Sequence, residues 1–319
     1  MELSIKPDLS GKVAVVTGAG GVLCREFARA LAQCGAKVAL LNRTYEKAQR
    51  IEACIRAEGG EATAVQVDVC DEGSLAAAHE QVLRLYGPCD ILINGAGGND
   101  PMATTDCETY DQVTADAPDK KSFFDISKDA FSRVFGLNLL GTLLPTQVFA
   151  CDMTAGGGTI INVSSMNAFC PLTKIPAYSA AKAAVSNFTQ WLAVHFANTG
   201  IRVNAIAPGF FSTDQNKTLL WNADGTPTAR THKILAATPM GRFGTPEELL
   251  GTLLWLADAR ASGFVTGIVV PVICLALFGA DDFMIPSLLA MLVMFLMVRP
   301  YLGDLKTDGG FDERENRAR

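Results

Sequence analysis

The sequence has few of the residues that build metal centres or disulfide frameworks. Its 319 residues include only three histidines, and the nine cysteines contain no Cys-x-x-Cys pair. An odd number of scattered cysteines is typical of reduced thiols inside a cell, and it argues against both a disulfide framework and a zinc cluster. We therefore expect no bound metal and a cytoplasmic location.

Excess basic charge is also missing. The chain carries 27 Lys and Arg against 33 Asp and Glu, a formal net charge of −6, so no nucleic-acid partner is expected. Residues 1–8 include the charged side chains Glu2, Lys6 and Asp8, so no signal peptide is expected here. Hydrophobic residues make up 49% of the chain, which is enough for a buried core and excludes a disordered protein.

The chain alternates short apolar runs with longer segments that carry apolar residues at helical spacing. Runs that are apolar almost throughout are typical of parallel strands buried on both faces. Strands are predicted at Lys12–Thr17, Lys37–Asn42, Ala62–Asp68, Asp90–Asn94, Gly158–Ser164, Ile201–Ala207 and Gly263–Val272. Helices are predicted at Leu23–Cys34, Tyr45–Ala57, Glu72–Leu85, Lys128–Met153, Tyr178–Asn198 and Pro246–Leu256. This alternation predicts an α/β fold with a doubly wound parallel sheet, in a single domain over residues 1–272.

A glycine-rich turn follows the first predicted strand and opens the first helix. Glycines let the backbone approach a pyrophosphate closely, and the free N–H groups at a helix start favour its negative charge. Because the turn follows the first strand of an alternating pattern, it predicts a Rossmann-like dinucleotide site. The residues expected to bind the cofactor here are Thr17, Gly18, Gly20, Gly21, Val22 and Leu23.

The second predicted strand ends with Asn42 and Arg43. A carboxylate at this place holds the 2′-hydroxyl of NAD, whereas a nearby Arg suits the 2′-phosphate of NADP. Asn42 does not repel a phosphate and Arg43 can pair with it, so the sequence favours NADP over NAD; the alternative is that Arg43 is a solvated residue at a helix start. Further cofactor contacts are expected near the ends of the next strands, at Asp68, Val69, Asn94, Ala96 and Gly97.

Tyr178 and Lys182 lie four residues apart in a predicted helix, which places both side chains on one face. A free tyrosine has a pKa of about 10, and a neighbouring ammonium group lowers this pKa because it favours the phenolate. Ser164 and Ser165 end the fifth strand, so a hydroxyl group can emerge at the sheet edge where ligands bind. The pattern predicts that Tyr178 exchanges protons at this edge.

In this order, the motifs resemble those of the short-chain dehydrogenase/reductases over residues 8–272. Thirteen residues separate Ser165 from Tyr178, as in that family, which favours Ser165 over Ser164. The matching pieces are Thr17-Gly18, Asp68, Asn94–Gly97, Asn138, Ser165, Tyr178, Lys182, Pro208-Gly209 and Thr213. The chain departs from the family's glycine pattern at Val22 and Cys24, where a small thiol can replace the glycine that allows tight helix–strand packing.

The resemblance implies a role for each matching residue. Tyr178 would be the general acid and base, and Ser165 would hydrogen-bond the substrate oxygen. Lys182 would bind the nicotinamide ribose and lower the pKa of Tyr178. Asn138 would hold a water of the proton relay, unless a backbone group already satisfies its amide. The nicotinamide carboxamide would be positioned by Pro208, Gly209, Phe211 and Thr213.

Within the family, the chain resembles the branch of D-mannonate oxidoreductases, also called fructuronate reductases. This resemblance implies NAD(P)-dependent interconversion of D-mannonate and D-fructuronate by a homo-oligomer, a tetramer or a dimer. The alternatives are another sugar, polyol or acyl-chain dehydrogenase, and a cofactor-sensing protein without turnover. Asn99, Asn167 and Lys174 are the candidates for contact with the substrate, and Lys174 is the one that could pair with a carboxylate.

An apolar insertion interrupts the family pattern near the C-terminus. Residues 273–307 separate the last predicted strand from Asp308-Gly309-Gly310, which leaves residues 308–319 as a displaced tail. Residues 283–298 contain no charge but would span only about 24 Å as a helix, less than the roughly 30 Å of a membrane core. Three interpretations of the segment remain open. It associates with a membrane through residues 273–298, it forms a buried helix or an assembly surface, or it is foreign sequence joined to a dehydrogenase; membrane association is not the favoured interpretation.

Overall fold

The computed structural model describes residues 3–111, 119–212 and 220–271. Its centre is a seven-stranded parallel sheet in the order β3-β2-β1-β4-β5-β6-β7. The strands are β1 Val13–Thr17, β2 Lys37–Asn42, β3 Glu61–Gln66, β4 Ile91–Asn94, β5 Gly158–Val163, β6 Ile201–Ala207 and β7 Val269–Pro271. The order reverses between β1 and β4, which confirms the predicted doubly wound, Rossmann-like fold and places a ligand crevice at this point of the sheet edge.

Helices cover both faces of the sheet. They are α1 Val22–Gln33, α2 Tyr45–Ala57, α3 Glu72–Leu85, α4 Lys128–Met153, α5 Pro176–His195, α6 Ala229–Ala236, α7 Leu250–Ala257 and the short α8 Ala259–Ser262. Four single 3₁₀ turns lie at Pro101–Ala103, Phe123–Asp125, Met166–Ala168 and Pro246–Leu249.

The core has two halves, one on each face of the sheet. Successive residues of a strand point to opposite faces. Ala14 and Val16 of β1 belong to the core that includes α1, α2 and α7, whereas Val13 and Val15 belong to the core that includes α3, α4 and α5. Burial on both faces explains why the strands are apolar almost throughout.

Several predicted bounds are wrong at element ends. β3 ends at Gln66, so Asp68 lies in the loop after the strand, and the segment predicted as one helix from Pro246 is a 3₁₀ turn followed by α7. The last strand begins at Val269 instead of Gly263. The reason lies in the turn before it: Gly267 has φ +75° and donates its N–H to the Val203 carbonyl at 2.7 Å, a backbone conformation that a strand does not allow.

The helix α4 is long and apolar enough to span a membrane by composition alone. It packs against α3, α5 and β4, and Val134, Phe149 and Met153 are among its buried side chains. We therefore assign α4 to the core of the fold. The predicted insertion at 273–307, including the stretch 273–298, and the tail at 308–319 lie outside the described residues.

Candidate active site

A cavity of about 580 Å³ opens at the carboxyl ends of the strands. It lies where the strand order reverses, and it receives residues from the loops after β1, β2, β4 and β6 and from α5. The predicted site residues that line it are Gly18, Gly20, Gly21, Val22, Leu23, Asn42, Arg43, Asp68, Val69, Ala96, Gly97, Tyr178, Lys182, Gly209 and Phe211.

The glycine-rich turn leaves space that any side chain would fill. Gly18 has φ +65°, and a Cβ atom there would lie 2.9 Å from the backbone of Ala96. A Cβ atom on Gly20 would lie 2.7 Å from the Cβ of Lys47. Gly21 precedes α1 in an extended conformation and supplies no side-chain cap. The turn thus fits a dinucleotide pyrophosphate, which would meet backbone N–H groups at the start of a twelve-residue helix.

The far end of the cavity is basic. Arg43 and Lys47 both line it, and the Asn42 side chain is held by two contacts, accepting from the Gly20 N–H at 3.3 Å and donating to the Thr44 carbonyl at 2.7 Å. Lys47 is absent from the sequence prediction. Its position within the first turn of α2, next to the end of β2, is the signal that could have identified it.

Thr17 and Asn94, predicted as cofactor-binding residues, do not line the cavity. The Thr17 hydroxyl oxygen accepts from the N–H groups of Gly95 and Ala96 at 3.0 and 3.2 Å. The Asn94 amide donates to Thr146 and to Asn162, both at 2.9 Å. Both side chains are buried and hold the strand ends that form the cavity wall.

Pro208, another predicted cofactor residue, also lies off the cavity wall. The Pro208 carbonyl accepts from the Met166 N–H at 3.0 Å, which joins the loop after β6 to the 3₁₀ turn after β5. Thr213 lies outside the described residues.

Cys24 packs directly on Gly95. Its sulfur atom occupies the place where a Cβ atom on Gly95 would sit. Burial raises the pKa of the Cys24 thiol to about 12, so the thiol is protonated and acts as a packing group. The departure from the family's glycine pattern at position 24 is therefore accommodated by a glycine on the neighbouring strand end.

Tyr178 and Lys182 lie on one face of α5, as the four-residue spacing predicts. The Lys182 Nζ atom lies 5.6 Å from the centre of the Tyr178 ring and donates to the Val163 carbonyl at 2.7 Å. Lys182 is buried, and burial lowers its pKa to about 8. Burial therefore makes the charged form of Lys182 less favourable than it is for a lysine in water.

The pKa of Tyr178 departs from the sequence expectation. Burial raises it, and a hydrogen bond with Ser165 lowers it by a smaller amount. Lys182 is not among the groups that shift it in this structure, so the expected lowering by the ammonium group is not seen. The reason is desolvation, which disfavours the phenolate more strongly than the neighbouring groups favour it.

Asn138 of α4 is buried behind Gly97, which lines the cavity. Its amide nitrogen donates to the carbonyls of Gly98 and Val134 at 2.8 and 2.7 Å. Its Oδ1 atom is buried and has no hydrogen-bond partner among the described residues. A Cβ atom on Gly97 would lie 2.6 Å from this oxygen and 3.3 Å from the Lys182 Nζ atom, so Gly97 keeps the space between the two side chains open.

None of the three substrate candidates lines the main cavity. Asn99 lies in a neighbouring cavity of about 410 Å³ together with Arg133. Asn167 is buried, and its Oδ1 atom has no partner among the described residues. The Lys174 carbonyl accepts from the Thr105 N–H at 3.1 Å. The nearby Glu108 is ion-paired with Lys233, which is the main cause of its lowered pKa, and the Lys174 charge adds a smaller contribution.

The described ranges contain no group of three or more His, Cys, Asp and Glu side chains placed to hold a metal ion.

Residues 12–223 match the family model of the short chain dehydrogenases, and the chain belongs to this family. It is accordingly an NAD(P)-dependent dehydrogenase, an oxidoreductase that acts on a small molecule.

The similar proteins include one curated relative and two solved structures. An uncharacterized oxidoreductase, UxuB of Bacillus subtilis, is 57% identical over 271 residues, which cover 85% of this chain and 96% of UxuB. The crystal structure of a proposed D-mannonate oxidoreductase from Haemophilus influenza with bound NAD is 52% identical, has a TM-score of 0.80, and matches 83% of this chain and 94% of its own. A gluconate 5-dehydrogenase from Burkholderia cenocepacia, in complex with NADP and tartrate, is 30% identical with a TM-score of 0.70, over 83% of this chain and 94% of that one.

Proposed function

We propose that this dehydrogenase interconverts D-fructuronate and D-mannonate. The observation that carries the proposal is the position of Tyr178 and Lys182 on the wall of a cleft of about 580 Å³, with Ser165 beside Tyr178 and Asn138 behind Gly97. The likeness to the proposed D-mannonate oxidoreductase of Haemophilus supports the choice of substrate. When bound, the nicotinamide supplies or accepts the hydride at the secondary alcohol or ketone carbon.

Tyr178 is the proposed proton carrier. Its raised pKa keeps the phenol protonated at neutral pH, which suits donation of a proton to the ketone oxygen during reduction. Ser165, hydrogen-bonded to Tyr178, orients the same oxygen. In the oxidation direction, Tyr178 takes the hydroxyl proton of the substrate.

Lys182 and Asn138 serve the return of the proton to Tyr178. The two side chains face each other across the space that Gly97 leaves open. The unpartnered Asn138 Oδ1 atom needs a hydrogen-bond donor, and a water held there would connect Lys182 to solvent. Lys182, with a pKa of about 8, can exchange a proton near neutral pH.

NADP is the proposed cofactor in preference to NAD. Arg43 and Lys47 place two cations at the end of the cavity, where the second strand supplies no carboxylate to repel a phosphate. The bound NAD of the Haemophilus structure favours NAD as the second candidate. Gly18, Gly20 and Gly21 would hold the pyrophosphate, and Asp68 would accept from the adenine amino group.

Lys174 is the proposed partner of the substrate carboxylate, with Asn99 and Asn167 as uncharged donors. A sugar acid needs a cation or several donors because burying its charge unpaired costs several kcal/mol. Another sugar, polyol or acyl-chain substrate is the alternative, and a cofactor sensor without turnover is the alternative of a different class.

We further propose that the protein is a cytoplasmic homo-oligomer.

The test of the proposed activity is a cofactor assay. Purified protein should oxidise NADPH when D-fructuronate is added, which lowers the absorbance of the reduced cofactor. The same assay is run across a panel of ketose acids, polyols and hydroxyacyl compounds. Fastest turnover of a neutral polyol would exclude the sugar-acid proposal. Cofactor binding without turnover of any compound would favour the sensor.

A further inference from the structure

Three consecutive residues at the end of β5, Val163, Ser164 and Ser165, contact α5. The Val163 carbonyl accepts from the Lys182 Nζ atom at 2.7 Å, and the Ser165 side chain lies close enough to Tyr178 to lower its pKa. Ser164, between them, has no part in the chemistry proposed above. Its side chain nevertheless points into the same contact between strand and helix.

The Ser164 hydroxyl contacts the backbone of Lys182. It lies 3.1 Å from the Lys182 carbonyl and 2.6 Å from the hydroxyl of Ser186, which itself lies 3.1 Å from the same carbonyl. Each hydroxyl has one proton, so one of them bonds to the carbonyl and the other bonds to its partner hydroxyl. Removal of either serine therefore leaves the other without one of its bonds.

This hydroxyl pair is buried and anchored to the sheet. Ser164 is 2% exposed and Ser186 is 8% exposed, so water does not replace a lost bond easily. The Ser164 N–H donates to the Ile206 carbonyl of β6 at 2.8 Å, which fixes the serine in the sheet. Lys182 is thus held at both ends, its Nζ atom by Val163 and its carbonyl by the hydroxyl pair.

We propose that Ser164 and Ser186 are positioning residues that fix the position of α5 along its own axis relative to β5. In this position Tyr178 lies beside Ser165, and Lys182 reaches the Val163 carbonyl. The inference rests on the proposed roles of Tyr178 and Lys182. Neither serine touches the reacting atoms. A shift of α5 by a fraction of a helical turn would separate both contacts at once, and misplacement by about 1 Å can lower catalysis by about 10²-fold.

The test compares Ser186→Thr with Ser186→Val. Threonine can keep the bond to the carbonyl four residues earlier, as Thr142, Thr146 and Thr189 do in this chain at 2.7 to 2.9 Å. Valine has the same shape but no hydroxyl. Both variants carry the same added methyl group, so the difference between them reports the hydroxyl alone.

We expect Ser186→Val to lower kcat with D-fructuronate about tenfold relative to Ser186→Thr and to weaken NADPH binding several-fold, because Lys182 lines the cofactor cavity. NADPH binding is measured by fluorescence titration and needs no substrate. Ser164→Ala should act like Ser186→Val. The matched control is Ser179→Ala, because the Ser179 hydroxyl is buried on the same helix without a partner among the described residues.

If Ser186→Val has a lower melting temperature but the same kcat and the same NADPH affinity as Ser186→Thr, the inference is wrong and the serine has a merely structural role. Tyr178→Phe in the same series separates this failure from failure of the proposed function. If Tyr178→Phe keeps wild-type turnover, the proposed function is wrong; if it is inactive while the Thr and Val variants are equal, only the inference is wrong.

Discussion

The residues predicted to bind the cofactor and those predicted to bind the substrate lie on different kinds of elements. We call these two groups the cofactor side and the substrate side. On the cofactor side, short turns at the ends of β1, β2 and β4 place Gly18, Arg43 and Ala96 directly on the cavity wall. On the substrate side, Asn99, Asn167 and Lys174 come from loops, and none of them lines that cavity. Parallel strands fix where their ends lie, whereas a loop is positioned by contacts with distant parts of the chain.

The two sides meet at Tyr178, and its removal should have the largest effect. Tyr178→Phe should lower turnover by about 10²- to 10⁴-fold because the proton transfer to or from the substrate is lost. The affinity for NADPH should stay within about threefold, since the ring is kept. Steady-state kinetics and a fluorescence titration measure the two quantities; wild-type turnover of the variant would remove Tyr178 from the mechanism.

The cofactor side should be intolerant of added volume where Cys24 meets Gly95. In Gly95→Ala the new methyl group overlaps the Cys24 sulfur and lies 3.0 Å from the Thr17 carbonyl oxygen. We expect a loss of about 1–3 kcal/mol in the free energy of unfolding, measured by urea denaturation. Adding Cys24→Gly should recover part of this loss.

The control for this pair is Gly136→Ala in α4, where a Cβ atom would meet only Leu140 at 3.9 Å. Alanine there should not destabilise the protein, since glycine is the poorer helix former. A double variant no more stable than Gly95→Ala would show that the sulfur does not cause the effect.

Cofactor choice should respond to the basic end of the cavity. Arg43→Asp should shift the preference from NADPH toward NADH by tenfold or more, about 1.4 kcal/mol, because a carboxylate repels the 2′-phosphate and accepts from a free 2′-hydroxyl. Lys47→Gln should weaken NADPH binding by a smaller factor. Titration of both cofactors decides this, and a wild-type protein that already prefers NADH tenfold would contradict the NADP proposal.

The substrate side should show the smallest effect. Lys174→Met keeps much of the apolar stem and removes the charge, so the KM for D-fructuronate should rise a few-fold while that for a neutral polyol changes little. An equal effect on both substrates, or no effect, would remove Lys174 from the substrate site.

The fold and the cofactor turn could be predicted because their signals are local. Five predicted elements, among them Lys37–Asn42 and Lys128–Met153, have the observed bounds. The sequence did not predict the contacts between residues that are distant along the chain. These contacts join Cys24 to Gly95, Ser164 to Ser186, and Lys47 to Gly20 of the glycine-rich turn. The expected lowering of the Tyr178 pKa failed for a similar reason, since burial depends on the whole fold.

Transfer of deuterium from the cofactor shows whether the protein reduces D-fructuronate to D-mannonate. Protein incubated with D-fructuronate and NADPH carrying deuterium at both positions of nicotinamide C4 should form D-mannonate with one deuterium on carbon, detected by mass spectrometry. The Tyr178→Phe protein should form little or none in the same time. Absence of labelled D-mannonate with the wild-type protein, while NADPH binds, would contradict the account.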